Sequence, residues 1–232
     1  MPRRRELLFC VAFAGLAAPA ATQGTGQQFR PELGIYVQQG ELIRIEFIAF
    51  ASGNQNTNDW QGHFAGYIEI ALKPVLRRSL SEQPDVYRNK YLTMRAGYRR
   101  DTSLTSGQSI SGNIGILELT SRYQLPGQFV ISDRNRGDFR FIQGQAFSPR
   151  YRNRLRLERD LKRGWFACTP YVEDEIFFDT RYGRWTPNVY ALGVQIPAGR
   201  HVVYETYYKR QNSSRSHPPH LYIVGFKWNL YF

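Results

Sequence analysis

The chain has 232 residues, 15% of them aromatic, with 20 glycines and a formal net charge of +12 from 31 Lys and Arg against 19 Asp and Glu. The length suits one domain, and the lack of Ala-Leu-Glu-Lys blocks argues against a helical bundle and for an all-β fold. A mean hydropathy of -0.48 excludes a bundle of spanning helices but not a membrane barrel, whose strands turn only alternate residues to lipid.

At the start, Arg3, Arg4 and Arg5 precede an apolar run over residues 7–18, and Ala18, Pro19 and Ala20 are small enough for a signal peptidase. We expect a cleaved leader over residues 1–21 and one barrel domain over residues 22–232, its first strand beginning between residues 31 and 50. The run is too short to cross a bilayer as a helix, and no later apolar stretch approaches twenty residues. Cleavage removes Cys10, so the remaining Cys168 cannot close an internal disulfide. A lone thiol of this kind reads as a packed small side chain.

Beyond the leader the pattern has a period of two. Leu33, Ile35 and Val37, then Ile43, Ile45 and Phe47, read as two strands or one interrupted strand. Ile68, Ile70 and Leu72 share a face, as do Leu92, Met94, Ala96 and Tyr98, with an unusually long link over residues 77–89 between them. Later segments follow the same rule: Tyr190, Leu192, Val194 and Ile196, then Val202, Tyr204, Thr206 and Tyr208. Polar loops over residues 101–112, 143–149, 180–187 and 209–219 alternate with tight turns over 125–128, 162–165 and 197–199. Such sorting by length fits a barrel with short periplasmic turns and longer outer loops. Counting back from the end gives ten strands from about Leu42, and eleven if residues 32–38 form their own. We expect an all-β, antiparallel transmembrane barrel of about 10–12 strands, ten or twelve being preferred because bacterial barrels are even-numbered.

One segment resists this reading. Over residues 129–141 the apolar parity would turn Asp133 and Asn135 toward lipid, where an unpaired carboxylate costs a few kcal/mol. A bulge that flips the register there would remove the conflict.

The inward face is charged. Arg150, Arg152, Arg154, Arg156, Glu158 and Asp160 share one parity, and the following strand offers Glu173 and Glu175. A hairpin at residues 163–166 sets Arg156 opposite Glu173 and Arg154 opposite Glu175, close enough for cross-strand ion pairs. In a lumen a few side chains wide, Arg152, Arg154, Arg156, Glu158, Glu173 and Glu175 form a charge network that fills the barrel. A charged constriction in a narrow pore is the alternative.

The last strand carries Tyr222, Val224, Phe226, Trp228, Leu230 and Phe232 on one parity and ends on the aromatic Phe232. An apolar face with a terminal aromatic fits a closing barrel strand that serves as the insertion signal for the barrel-assembly machinery.

Removing Arg3, Arg4, Arg5 and Glu6 takes away +2, leaving +10. Arg-rich, aromatic stretches such as residues 151–154 resemble nucleic-acid contacts, but export points instead to outer-membrane lipid and lipopolysaccharide as partners, with no nucleic acid. Catalysis has little to stand on. His63, His217 and His220 fall in outer loops, with Ser213, Ser214 and Ser216 near the last two, and no third orienting group follows from spacing. We therefore expect no enzyme, no cofactor and no metal, keep a rim-located hydrolase or acyltransferase as the alternative, and leave the oligomeric state open.

The second half resembles a family of uncharacterised proteobacterial outer-membrane barrels of unknown function. The resemblance rests on residues 117–120 with Arg122 and Tyr123, on 132–136, on 150–155 through Glu158 and Arg159, and on Thr169, Pro170 and Tyr171 with Asp174 and Glu175. It continues through Tyr207, Tyr208, Arg210, Gln211 and Asn212 to residues 229–232. It covers residues 110–232 and implies a fold and an outer-membrane location in a Gram-negative bacterium, not a mechanism.

Overall fold

In the computed structural model, residues 25–54, 59–72, 85–105, 111–212 and 220–232 are described. The alternating segments become β1 (Thr25–Gln39), β2 (Ile43–Asn54), β3 (Asp59–Ala71), β4 (Leu92–Ser103), β5 (Ser111–Leu125), β6 (Phe129–Ile142), β7 (Ser148–Arg159), β8 (Leu161–Arg163), β9 (Phe166–Asp179), β10 (Arg184–Ala198), β11 (Val202–Asn212) and β12 (His220–Tyr231). Each long strand pairs with its chain neighbour, β7 pairs with β9, and β1 meets β12, so eleven strands close a mixed barrel. The three-residue β8 only lengthens the hairpin at the start of β9.

The closing seam is parallel, running from Thr25 beside His220 to Tyr36 beside Tyr231. This corrects two expectations, the even strand number and the wholly antiparallel wall. Residues 33–37 and 43–47 lie on separate strands, divided by a turn in which Gly40 has φ +68°. An up-and-down order with an odd count brings first and last strands together pointing the same way. Phe232 extends the seam, its N–H donating to the Tyr36 carbonyl at 2.8 Å, and the rings of Tyr36 and Tyr231 stack at 4.7 Å.

One end of the barrel carries the connections β1–β2, β3–β4, β5–β6, β7–β9 and β10–β11 and is called here the turn end; the opposite end is the loop end. The loops are shorter than expected because strands run into them: β10 starts at Arg184, and the β9–β10 connection is residues 180–183.

Most outward positions are apolar, and many are exposed, among them Phe47, Phe64, Ile68, Leu117, Val172 and Phe226. The β12 set has Phe226, Trp228 and Phe232 exposed, while Ile223 and Asn229 on the other parity are buried. Asp133 and Asn135 do face outward. The bulge that would have turned them away is absent, since the β6 register runs unbroken against β5 and β7; the irregularity sits in β10, between Thr186 and Val189. The polar groups instead satisfy one another across the strands. Asn153 Nδ2 donates to Asp133 Oδ1 at 2.6 Å and to Asn135 Oδ1 at 3.1 Å, and the Tyr151 hydroxyl donates to Asn135 at 2.5 Å.

Candidate functional site

The interior of the barrel is ionic. With side chains alternating across each strand, every inward position of β7 from Arg150 to Glu158 is charged; β9 sets Asp179, Glu175 and Glu173 opposite Arg150, Arg154 and Arg156, whereas β6 sets Arg134 and Arg136 opposite Arg154 and Arg152. An alternating circuit crosses the lumen: Arg44 pairs with Glu46 at 2.9 Å, Glu46 with Arg95 at 2.9 Å, Arg95 with Glu118 at 2.8 Å, and Glu118 with Arg134 at 3.7 Å. Arg134 then meets Glu175 at 2.5 Å, and Glu175 meets Arg152 at 2.9 Å. Arg44 also pairs with Glu69. Rings stack into this network, with the Arg156 guanidinium 3.6 Å from the centre of the Tyr171 ring.

Arg152, Arg154, Arg156, Glu158, Glu173 and Glu175 all line the lumen, and β7 and β9 stand in a register that places Arg154 opposite Glu175 and Arg156 opposite Glu173. The side chains do not pair straight across, which corrects that detail. Arg154 reaches Glu173 at 3.4 Å, Arg156 turns to Glu158 on its own strand at 3.2 Å, and Glu175 is taken by Arg134 and Arg152. The reason is reach: a guanidinium on a long stem meets a diagonal neighbour as easily as the facing one. Cys168 is fully buried, a packed small side chain.

Part of the β3–β4 link is anchored into the lumen at the turn end. A short 3-10 turn, Val86–Asn89, is capped by the Asp85 side chain accepting from the Tyr87 N–H. Tyr87 is fully buried, and the Arg44 guanidinium lies 4.2 Å from the centre of its ring. Asp85 pairs with Arg44 at 2.7 Å, and Arg88 reaches Glu158 at 2.7 Å and Asp160 at 3.1 Å. Burial works against the Arg88 charge, but these two carboxylates outweigh it and hold its pKa above the usual guanidinium range. The link thus ties β2 to β7 across the barrel. Its unusual length for a connection at this end was visible in the sequence; the anchoring by Tyr87 and Arg88 was not.

At the loop end, on β2, β3 and β4, a separate cluster stands on an apolar floor. The floor is Ile48, Ala65, Tyr67, Ile114 and Ile116. Above it, His63 Nδ1 lies 2.7 Å from Asp101 Oδ1 and His63 Nε2 lies 3.3 Å from Ser52 Oγ. His63 and Asp101 are directly opposed in the β3–β4 register, and His63 faces Phe50 on β2, whose ring stacks on the imidazole at 4.1 Å. Asp101 is steadied by Arg99, whose Nε is 2.8 Å from it. His63 therefore belongs to β3, not to an outer loop as its sequence position suggested. Sequence reasoning missed Ser52 and Asp101. Their signal was parity alone, since Ser52, His63 and Asp101 all fall on inward positions near the same rim.

His220 opens β12, and its Nδ1 lies 3.1 Å from Asn212 Oδ1; His217, Ser213, Ser214 and Ser216 lie outside the described residues. Among the described residues no group of three or more His, Cys, Asp or Glu is placed to hold a metal ion.

A family model described as "Protein of unknown function (DUF2490)" matches residues 79–221, a span holding the 3-10 turn, Asp101 and the lumen charges of β4 to β11, but not Ser52 or His63. No curated protein matches, and no solved structure matches.

Proposed function

We propose that this chain, which belongs to the DUF2490 family and takes no named activity from it, is an integral outer-membrane barrel with a side-chain-filled lumen and a structural or binding role in that membrane. The observation that carries the reading is the inversion of polarity between the two faces of one wall. Ion pairs line the inside, and exposed apolar side chains cover the outside. In water so large an apolar surface would drive association, whereas in a bilayer it is the expected lipid-facing band. Strands of 11 to 15 residues around the barrel meet or exceed the roughly 9–11 residues that a tilted spanning strand needs. The outward cluster of Asp133, Asn135 and Asn153 is self-satisfied, which lowers the cost of placing it against lipid.

In this reading residues 1–21 are the export leader, the turn end faces the periplasm, and β12 with Phe232 is the strand offered to the assembly machinery. Lipid and lipopolysaccharide are the surrounding partners. The test is fractionation after expression with the leader intact. The barrel should be recovered in outer membranes and migrate faster on a gel when unheated than when boiled; recovery as a soluble periplasmic protein would overturn the reading. A charged residue in place of Phe232 should lower the assembled fraction, and unchanged assembly would remove β12 as the signal.

Plugging makes a second expectation. With Arg88 tied to Glu158 and Asp160 at one end and the Arg44-to-Arg152 circuit across the middle, the barrel in planar bilayers should pass little current. A large steady conductance would favour the narrow-pore alternative.

A further inference from the structure

We propose that Ser52, His63 and Asp101 form a serine acyl-hydrolase site inside the loop-end mouth of the barrel. Nucleophile, base and orienter are in order: hydroxyl to imidazole at 3.3 Å, imidazole to carboxylate at 2.7 Å. These are the contacts that nucleophilic catalysis by serine requires, looser on the nucleophile side as unliganded sites often are. Both contacts are met by a single tautomer, with Nδ1–H donating to Asp101 and Nε2 accepting from the Ser52 hydroxyl. The imidazole is held in plane by the Phe50 ring and the carboxylate by Arg99. Below, the apolar floor separates the three residues from the ionic circuit, so the base is not drawn into an ion pair with a lumen carboxylate other than its own.

Two features beside Ser52 set the substrate class. The register brings Arg30 of β1 opposite Ser52, where the β1–β2 ladder lapses at Arg30 and Pro31; proline has no N–H to give it. Among the described residues Arg30 has no carboxylate partner, and its buried Nε has no hydrogen-bond acceptor. The missing carboxylate, not the orphan Nε that Arg95 and Arg134 share, sets it apart from the guanidiniums of the circuit. A cation whose contacts are the Gln28 amide oxygen at 3.4 Å and the Phe50 ring, with no carboxylate to neutralise it, suits a carboxylic ester carrying a negative charge. The three side chains point into the lumen and not at lipid, so the substrate is a small water-soluble ester entering from the loop end. Ser52 is only 3% exposed, which favours compact acyl groups.

The chemistry balances without a cofactor. Ser52 Oγ attacks the ester carbonyl as its proton passes to His63 Nε2; the carbon–oxygen bond to the alcohol breaks, and the alcohol leaves with that proton. Water then repeats the cycle on the acyl-serine, giving its proton to His63, and releases the acid as Ser52 Oγ takes the proton back. Asp101 holds the ring and steadies the imidazolium throughout.

The site stands apart from the membrane reading and is tested on the folded barrel in detergent, each variant being checked for heat-modifiable migration. A fluorophosphonate probe should label the wild type at Ser52 by peptide mass spectrometry, and 4-nitrophenyl butyrate should be hydrolysed. Ser52→Ala should abolish labelling, His63→Ala should lower hydrolysis by at least about a hundredfold, and Ser132→Ala, a lumen serine away from the cluster, should change neither. The 4-nitrophenyl monoester of glutarate should be preferred over the neutral butyrate in wild type, a preference that Arg30→Ala should reduce through KM. No labelling of a folded barrel, or labelling that survives Ser52→Ala, overturns the site. Equal use of both esters overturns the assigned substrate charge.

Discussion

Replacing Glu175 by alanine should destabilise the barrel by about 3–5 kcal/mol, the usual cost of removing one partner from a buried ionic group. Glu175 is 6% exposed and holds two cations: Arg134 at 2.5 Å, and Arg152 through both Nη2 at 2.9 Å and Nε at 3.0 Å. Neither guanidinium has an equal fallback. Arg134 keeps Glu118 at 3.7 Å, and Arg152 keeps Asp138 at 3.4 Å. Removing the carboxylate therefore leaves positive charge in a lumen already dense with arginine, with repulsion among Arg134, Arg136, Arg152 and Arg154 no longer offset. The double replacement of Arg152 and Glu175 by alanine should cost well under the sum of the single replacements, because only one stranded cation then remains. Denaturant titration of the four proteins, read by loss of the fast-migrating form, supplies the cycle. Additive changes, or a Glu175→Ala loss below about 1 kcal/mol, would show a hydrated lumen in which each charge is solvated on its own.

The same cycle on Arg156 and Glu173 should show much weaker coupling, and this contrast locates what the sequence could and could not reveal. Parity along β7 and the tight turn at Gly164 were enough to place Arg156 opposite Glu173, because an antiparallel hairpin with a known turn has only one register. Which carboxylate each arginine takes depends on rotamers shared among β6, β7 and β9, and no two-strand argument contains that. The outward faces were legible for the same reason that the register was: a period of two survives in each strand whatever its neighbours are. The strand count was not, since Pro31 and the polar residues of β1 blur its alternation and nothing local announces a parallel seam 193 residues apart in the chain, as between Tyr36 and Asn229. Ser52, His63 and Asp101 illustrate the harder case. They lie on three strands and meet only once the β2–β3 and β3–β4 registers are both known.

A packing device of the wall was likewise beyond the sequence, and it gives the other large expected effect. Three inward tyrosines lie over glycines directly across the strand pair: Tyr67 opposite Gly97, Tyr171 opposite Gly193 and Tyr207 opposite Gly225. A Cβ at Gly225 would sit 2.1 Å from Cζ of Tyr207 and 2.4 Å from its hydroxyl oxygen, far inside van der Waals contact. The ring cannot simply swing away, because Tyr207 is 6% exposed and packs with Tyr171 and Ile223. Gly225→Ala should therefore cost about 1–3 kcal/mol through overpacking, despite the ordinary gain in strand stability when glycine is replaced. Gly66→Ala is the matched comparison, an outward glycine whose added Cβ would find only the Phe47 ring at 4.0 Å. It should be neutral or stabilising. The ring–glycine contact should also make Gly225→Ala suppressible by Tyr207→Ala, which opens the space the new methyl needs. If Gly225→Ala unfolds in the same denaturant as Gly66→Ala, or if Tyr207→Ala does not relieve it, the tyrosine does not rest on that glycine and the barrel wall is packed in some other way.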